Sequence, residues 1–249
     1  MEIKVDVTRG MKSAYVGAPF DEAKEALENE GYELISLEQM AQLRIQEGKD
    51  SFISQNGNRT REGFLYVPKK GIFLTKKSPI MASAKKATDC HRNNKDFYPT
   101  PKQVEKALAD SCKVANKEIN KEIPTLRLSE EELTAYAFGS QAKAYGKFLK
   151  EAGIDTLRVY TINMQDKPFA TQAWLRWLVS GSELDGNDGG WDRDLANDDR
   201  ARGVQKATAE GGSQKIKTPS LQDILKFSEA YVSSAAKPEF EKGLKSLYK

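Results

Sequence analysis

Oxygen ligands crowd one stretch of this sequence. "DGNDGGWDRDLANDD", Asp185–Asp199, sets aspartate, asparagine and glycine in close alternation, the composition of a calcium loop. A twelve-residue calcium loop needs oxygen ligands at positions 1, 3 and 5, glycine at 6 and a bidentate glutamate at 12. Counted from Asp185, Asn187 and Gly190 fall at positions 3 and 6, but Gly189 takes position 5 and Ala196 position 12. The register fails where ligands matter most, so no metal or other cofactor is expected. From Glu183 to Asp199 seven carboxylates accompany one arginine, Arg193, a local charge of −6. A metal-dependent hydrolase or a looser calcium-binding protein built on this cluster is the rival reading.

Nucleophilic chemistry has one candidate pair, Cys90 and the chain's only histidine, His91. A nucleophile needs its base within hydrogen-bond reach, and neighbours on an extended segment point to opposite sides. The pair is therefore expected to be no dyad, His91 to be structural or exposed, and Cys112 to lie in the core. Two cysteines supply neither a disulfide framework nor a metal quartet. Lys69, Lys70, Lys76, Lys77, Lys85, Lys86, Arg92 and Lys95 make a basic region. Nucleic-acid binding needs such charge interleaved with stacking aromatics, and Phe73 has no such company. A nucleic-acid adaptor is the weaker alternative; a solvated hairpin protecting a sheet edge is expected.

The elements that must carry these residues fit within 249 residues of ordinary composition, 39% hydrophobic and 30% charged, with a net charge of +3. That length buries a proper core, and the small charge names no partner. No apolar run is long enough to span a bilayer. Glu2, Lys4 and Asp6 break up the amino terminus, no secretory signal is visible, and the cytoplasm is the default location. One α+β domain over 1–249 is expected, with a mobile connector at Ala209–Lys215 and a helical tail over 218–249. Leu221, Ile224, Leu225, Ser228 and Val232 give the tail its stripe, and a shorter helix is expected near Phe240–Leu247.

"IKVDV", Ile3–Val7, alternates as a half-exposed strand. Asp21 is placed to cap a helix that Gly31 ends, and Ser36 with Gln39 has capping-box spacing for another that Gly48 closes. "GFLYVPKKGIFLTKK" reads as a hairpin: Phe64–Val67 and Ile72–Leu74 flank a turn preset by Pro68, with Gly71 free to take a positive φ. Thr100, Pro101 and Gln103 open a helix expected over Pro101–Asn120, its stripe being Val104, Leu108, Cys112, Ala115 and Ile119. Ser129 and Glu132 cap the next, expected over Glu130–Ala152. "LRVYTI", Leu157–Ile162, reads as a buried strand.

From Trp174 to Val204 two residue classes interleave. Trp174, Leu178, Ser182, Leu184, Arg193, Leu195, Arg200, Arg202, Gly203 and Val204 look like framework. Between them stand Leu175, Arg176, Trp177, Val179, Ser180, Gly181, Glu183, Asp185, Gly186, Asn187, Asp188, Gly189, Trp191, Asp192, Asp194, Ala196, Asn197, Asp198, Asp199 and Ala201, which follow no periodicity. All three tryptophans lie in or beside this stretch, and disordered acidic segments lack such anchors. Most interposed residues are those that asparagine-type codons reach when their adenines are replaced. The absence of lysine between Lys167 and Lys206 fits the same rule, since lysine codons are adenine-rich. Trp177, Trp191 and Glu183 need a different template codon or belong to the framework.

Here the chain resembles the variable proteins of diversity-generating retroelements, particularly those of archaea and their viruses. The resemblance rests on "KPFATQAWLRWL", "SEL", "DRDL" and "DDRARGV" within Lys167–Val204, with support from "GFLYVPKKGIFLT" and "ATDCHRNNKDFY". In that family an error-prone reverse transcriptase rewrites a variable region at template adenines. The resemblance implies a C-type lectin fold, helices around small antiparallel sheets and hairpins, whose region 174–202 displays side chains to a macromolecular ligand such as a protein or cell-surface molecule. It implies no catalysis, and a cytoplasmic or virus-associated setting. Arg176, Trp177 and Trp191 would anchor the ligand, small polar residues adapting around them. The interposed side chains are then expected to face solvent, and Arg200→Ala or Arg202→Ala to destabilise if the guanidiniums bridge backbone carbonyls of neighbouring loops.

Overall fold

The structure is a computed structural model that describes residues 2–7, 11–114, 120–178, 181–187, 195–198 and 200–205. Contacts divide the chain into two compact units, Met1–Lys206 and Ala207–Lys249; the described residues all belong to the first. The connector at Ala209–Lys215 and the helical tail over 218–249 lie outside them.

Strands β1 (Lys4–Val7) and β2 (Lys12–Gly17) pair antiparallel and lead to α1 (Phe20–Asn29), β3 (Tyr32–Leu34), α2 (Leu37–Glu47) and α3 (Phe52–Gln55). A hairpin of β4 (Asn58–Val67) and β5 (Gly71–Thr75) follows, then α4 (Ala84–Arg92), α5 (Pro101–Leu108), β6 (Ser111–Val114) and β7 (Asn120–Pro124). Helices α6 (Glu132–Phe138) and α7 (Ala142–Glu151) precede β8 (Thr156–Tyr160), β9 (Phe169–Leu175), β10 (Ser182–Asp185) and β11 (Arg200–Gln205). The strands join in one sheet ordered β1-β2-β11-β4-β9-β10-β8-β7, with β3 beside β11 and β5 linking β4 to β6. Two pairings, β11 with β4 and β10 with β8, are parallel. The α+β class expected from the sequence is the class found.

The unbroken apolar run of β4 follows from its central place. Strand side chains alternate between faces. Phe64 and Tyr66 join a core closed by α2, α6 and α7, whereas Leu65 and Val67 join one closed by α1, α4 and α5. The expected hairpin is present, with Lys69 at φ 65° and Gly71 at φ 122° making its turn. The expected capping box of Ser36 with Gln39 forms, and Thr100 with Gln103 opens α5 through a second one.

Three expected helices change. Helix α1 starts at Phe20 behind Pro19, with Asp21 in its first turn rather than at its cap. The helix drawn over Pro101–Asn120 stops at Leu108, because Cys112 and Val114 also carry period 2 and pair with Leu74 and Ile72 of β5. Cys112 is in the core, as expected, but on a strand, and residues 115–119 lie outside the described residues. The helix over Glu130–Ala152 is broken in two at Gly139, where φ is +51°, and its start has no side-chain cap from Ser129. Because β5 also pairs with β6, the basic hairpin protects no sheet edge. Cys90 and His91 lie on α4, not on an extended segment; His91 is buried and Cys90 half-buried. Successive helical residues still diverge by about 100°, so they make no dyad.

A bulge in β4 between Arg59 and Gly63 fixes a buried acid. The Gln172 amide of β9 donates to the carbonyls of Thr60 and Glu62 and accepts from the Ser78 hydroxyl, holding the bulge. Glu62, 1% exposed, accepts the Leu37 N–H at the start of α2 at 3.0 Å. Burial raises its carboxyl above the ordinary 4.5, against the lowering pull of that N–H and of Arg61. A raised folded-state value means that the folded protein holds this proton more tightly than the unfolded chain. Its contribution is complete below about pH 4.5 and is lost as pH climbs through the folded-state value. Glu62→Gln keeps the acceptor and removes the titration. The melting temperature of the wild type should therefore fall relative to Glu62→Gln as pH rises from 4 to 8; parallel pH profiles would contradict this.

Candidate functional site

The interleaved stretch leaves the sheet where β9 ends, and its exit is gripped by an arginine. Arg44 of α2 is fully buried. It donates to the carbonyls of Arg176 at 2.7 Å, Asn56 at 3.3 Å and Ile53 at 3.3 Å, and to the Tyr145 hydroxyl at 2.9 Å. One planar donor thus ties α2, α3, α7 and the end of β9 together. The sequence carries a signal for it: Leu37, Met40, Ala41 and Arg44 share the buried face of α2, an arginine at core spacing.

A second polar cluster fixes the first interposed side chains. Glu183 on β10 is buried between Arg158 of β8, 2.7 Å away, and Arg176, 3.6 Å away. The parallel register puts Glu183 opposite Arg158, and the Arg176 N–H donates to the Glu183 carbonyl at 2.9 Å. The Arg176 guanidinium lies over the Trp177 ring, 4.9 Å from its centroid. Both side chains are partly exposed. Glu183 therefore works from below, presenting a cation stacked on an indole, a geometry suited to aromatic and anionic groups of a ligand.

The framework residues are buried as their class requires. Trp174 is 4% exposed. It lies flat on Gly57, where a Cβ would come 2.5 Å from the indole, with the Arg59 guanidinium 5.6 Å from the ring centre. Leu195 is fully buried, and its carbonyl accepts the Phe20 N–H at 2.8 Å, so the loop is moored to the start of α1. Arg202, also fully buried, donates to the Ser13 hydroxyl at 2.8 Å and lies over Tyr15. Tyr15 stacks on Phe52 at 4.7 Å, and Arg200 covers Phe52 at 5.6 Å. Beside this stack a pocket of about 440 Å³ opens between Phe52, Tyr15, Arg200, Lys4, Glu2 and Asp198.

The interposed residues divide. Asn197 and Asp198 are exposed, and Arg176, Trp177, Gly181, Asn187 and Ala196 are half-buried. Leu175, Glu183, Asp185, Gly186 and Ala201 are buried, contrary to the expected exposure. The reason is the sheet: Leu175 pairs with Leu184, Asp185 with Trp174, and Ala201 lies on β11 between β2 and β4. Asp185 accepts the Asn187 N–H at 2.7 Å, closing the turn after β10. Val179, Ser180, Asp188, Gly189, Trp191, Asp192, Asp194 and Asp199 lie outside the described residues. Among the described residues no three or more His, Cys, Asp or Glu side chains gather as metal ligands would, and no helix is long and apolar enough to cross a membrane.

Gly186 carries a consequence of its own. Its carbonyl accepts from Tyr66 at 3.0 Å and Thr171 at 2.6 Å, and its N–H donates to the Tyr160 carbonyl. A Cβ there would meet the Phe64 ring and the Tyr66 hydroxyl at 2.8 Å. Gly186→Ala should cost about 1–3 kcal/mol by overpacking, read as a drop in melting temperature; an unchanged melt would show that β10 shifts without strain.

A solved structure described as the accommodation of massive sequence variation in Nanoarchaeota by the C-type lectin fold matches with a TM-score of 0.57, covering 81% of this chain and 99% of that one. The fold is a C-type lectin fold. At 13% identity the likeness is one of fold alone. No family model matches, and no curated protein matches. On this lectin frame the arginines that sequence reasoning passed over, Arg44 and Arg158, hold the Arg176 carbonyl and the Glu183 carboxylate.

Proposed function

We propose that the chain is a non-catalytic binding protein, displaying a retroelement-diversified surface on its C-type lectin frame. The observation that carries this reading is the division of labour within one stretch. Trp174, Leu178, Ser182, Leu184, Leu195 and Arg202 are buried, while Arg176, Trp177, Asn187, Ala196, Asn197 and Asp198 reach the surface between them. A frame whose fixed residues carry the folding energy tolerates change at the positions in between. The fold likeness to a protein described for massive sequence variation supports the same reading.

The surface suits a macromolecular ligand, a protein or a cell-surface molecule. Binding energy concentrates in aromatic and arginine anchors ringed by small polar residues. Arg176 stacked on Trp177 is such an anchor, and the pocket between Phe52 and Arg200 offers a second foothold. Glu183 holds two arginines and Asp185 closes a turn; both have structural employment, which supports binding over hydrolysis. Leu175, Glu183, Asp185, Gly186 and Ala201 shape the surface from within. The coding DNA provides the test. A near-repeat of the codons for residues 174–202, differing mainly at adenines and close to a reverse-transcriptase gene, is expected. A genome without such a repeat would remove the diversification and leave a fixed binding surface.

A further inference from the structure

A second pocket shares no residue with the displayed stretch. It encloses about 380 Å³, within the range that holds small ligands. Four cations line it: Arg61 from the β4 bulge, Lys76 and Lys77 after β5, and Lys106 on α5. Pro79 and Met81 supply an apolar wall. Among the described residues, Asp110 is 3.9 Å from Lys77, and the buried Glu62 is 3.9 Å from Arg61 while accepting the Leu37 N–H. Even with both ionised, cations outnumber them two to one.

The backbone beneath the lysines is held in place. The Lys76 N–H donates to the Tyr136 hydroxyl at 3.1 Å and the Asp110 carbonyl at 3.3 Å, and the Lys77 N–H donates to Thr75 Oγ1 at 3.0 Å. The Ser78 hydroxyl donates to Gln172 Oε1 at 2.9 Å. The Lys76 ammonium rests 4.8 Å above the Tyr136 ring. Like charges gathered on so fixed a scaffold repel, and an anion between them relieves that repulsion while paying little to order the site. We propose that this pocket binds a small phosphate monoester, its dianionic head among Arg61, Lys76, Lys77 and Lys106 and its organic part against Pro79 and Met81. A monoester carries a charge of about −1.5 to −2 at neutral pH and three strong acceptor oxygens, which suits several cations better than a single-charged sulfate ester.

Calorimetry on the full chain with phenyl phosphate at low salt tests this. One saturable site is expected, weaker for inorganic phosphate, which lacks the apolar part, and weaker for phenyl sulfate, which lacks the second charge. Lys106→Glu, at an exposed position, should weaken binding about tenfold or more, the usual scale for losing a charge-assisted contact. Lys143→Glu, at an exposed position on α7, should leave it unchanged, and melts of both variants should match the wild type. No saturable binding of phenyl phosphate would overturn the proposal. So would binding that survives Lys106→Glu, or that Lys143→Glu weakens equally.

Discussion

Arg44→Ala is expected to destabilise the protein by about 3–5 kcal/mol, the scale of stripping a buried polar network of its shared partner. The guanidinium is fully buried and serves the Arg176, Asn56 and Ile53 carbonyls and the Tyr145 hydroxyl. Truncation takes this donor from the Ile53 and Arg176 carbonyls and the Tyr145 hydroxyl, the Asn56 carbonyl keeping the Asn58 amide, and opens a cavity among α2, α3 and α7. Arg44→Lys, with a compact ammonium in place of a planar fork, should recover part of the loss. The effect should also be local. Hydrogen exchange in Arg44→Lys should quicken at the end of β9, where Leu178 donates its N–H to the Ser54 carbonyl, before it quickens in β4. Uniform quickening would mean that Arg44 stabilises the whole frame without favouring the exit of the displayed stretch.

Trp174→Ala should cost about 3–5 kcal/mol, because the indole fills the space between Gly57 and Arg59 near the end of the β4–β9 pair. Gly57→Ala should cost about 1–3 kcal/mol for the opposite reason, since its new methyl would strike that indole. The double variant gives the sharper test. With the ring gone the methyl has room, so the pair should lose less than the sum of the two singles, a coupling readable from denaturant melts. Additive losses would mean that Gly57 is constrained by its backbone and not by Trp174.

The parts of the fold legible in the sequence were those whose local and tertiary demands agree. The β4–β5 hairpin, the capping boxes at Ser36 and Thr100 and the strand near Val159 all have local signals that the sheet merely uses. Cys112 fits a helical stripe with Val104 and Leu108 and a strand period with Val114, and the waiting edge of β5 decided for the strand. Gly139 breaks a helix whose apolar stripe runs on through it; its neighbour Ser140 donates from its N–H and hydroxyl to Glu38 of α2, a tertiary contact no local pattern reveals.

In the candidate stretch the burial of the framework class was legible in the sequence, and the exposure of the interposed class was not. Trp174, Leu178, Leu184, Leu195 and Arg202 are buried as the framework class requires. Glu183, Asp185 and Gly186 share the composition of displayed residues, yet strand pairing draws them inward. Polar type alone does not separate a carboxylate that meets a ligand from one that holds two arginines. Arg44 was readable in principle, from a charge standing where α2 needs an apolar residue.

The separation of displayed from supporting side chains is best tested by thermal melts of two variant sets in the full chain. The first replaces Trp177, Asn197 and Asp198 singly by Ser or Tyr; the second comprises Glu183→Ala, Gly186→Ala and Leu195→Ala. Substitutions in the first set should each change stability by less than about 0.5 kcal/mol. Those in the second should each cost about 1–5 kcal/mol, through an uncompensated arginine pair, overpacking and a cavity respectively. Equal losses in both sets would contradict the account, because a surface whose side chains hold up its own frame is not free to be rewritten.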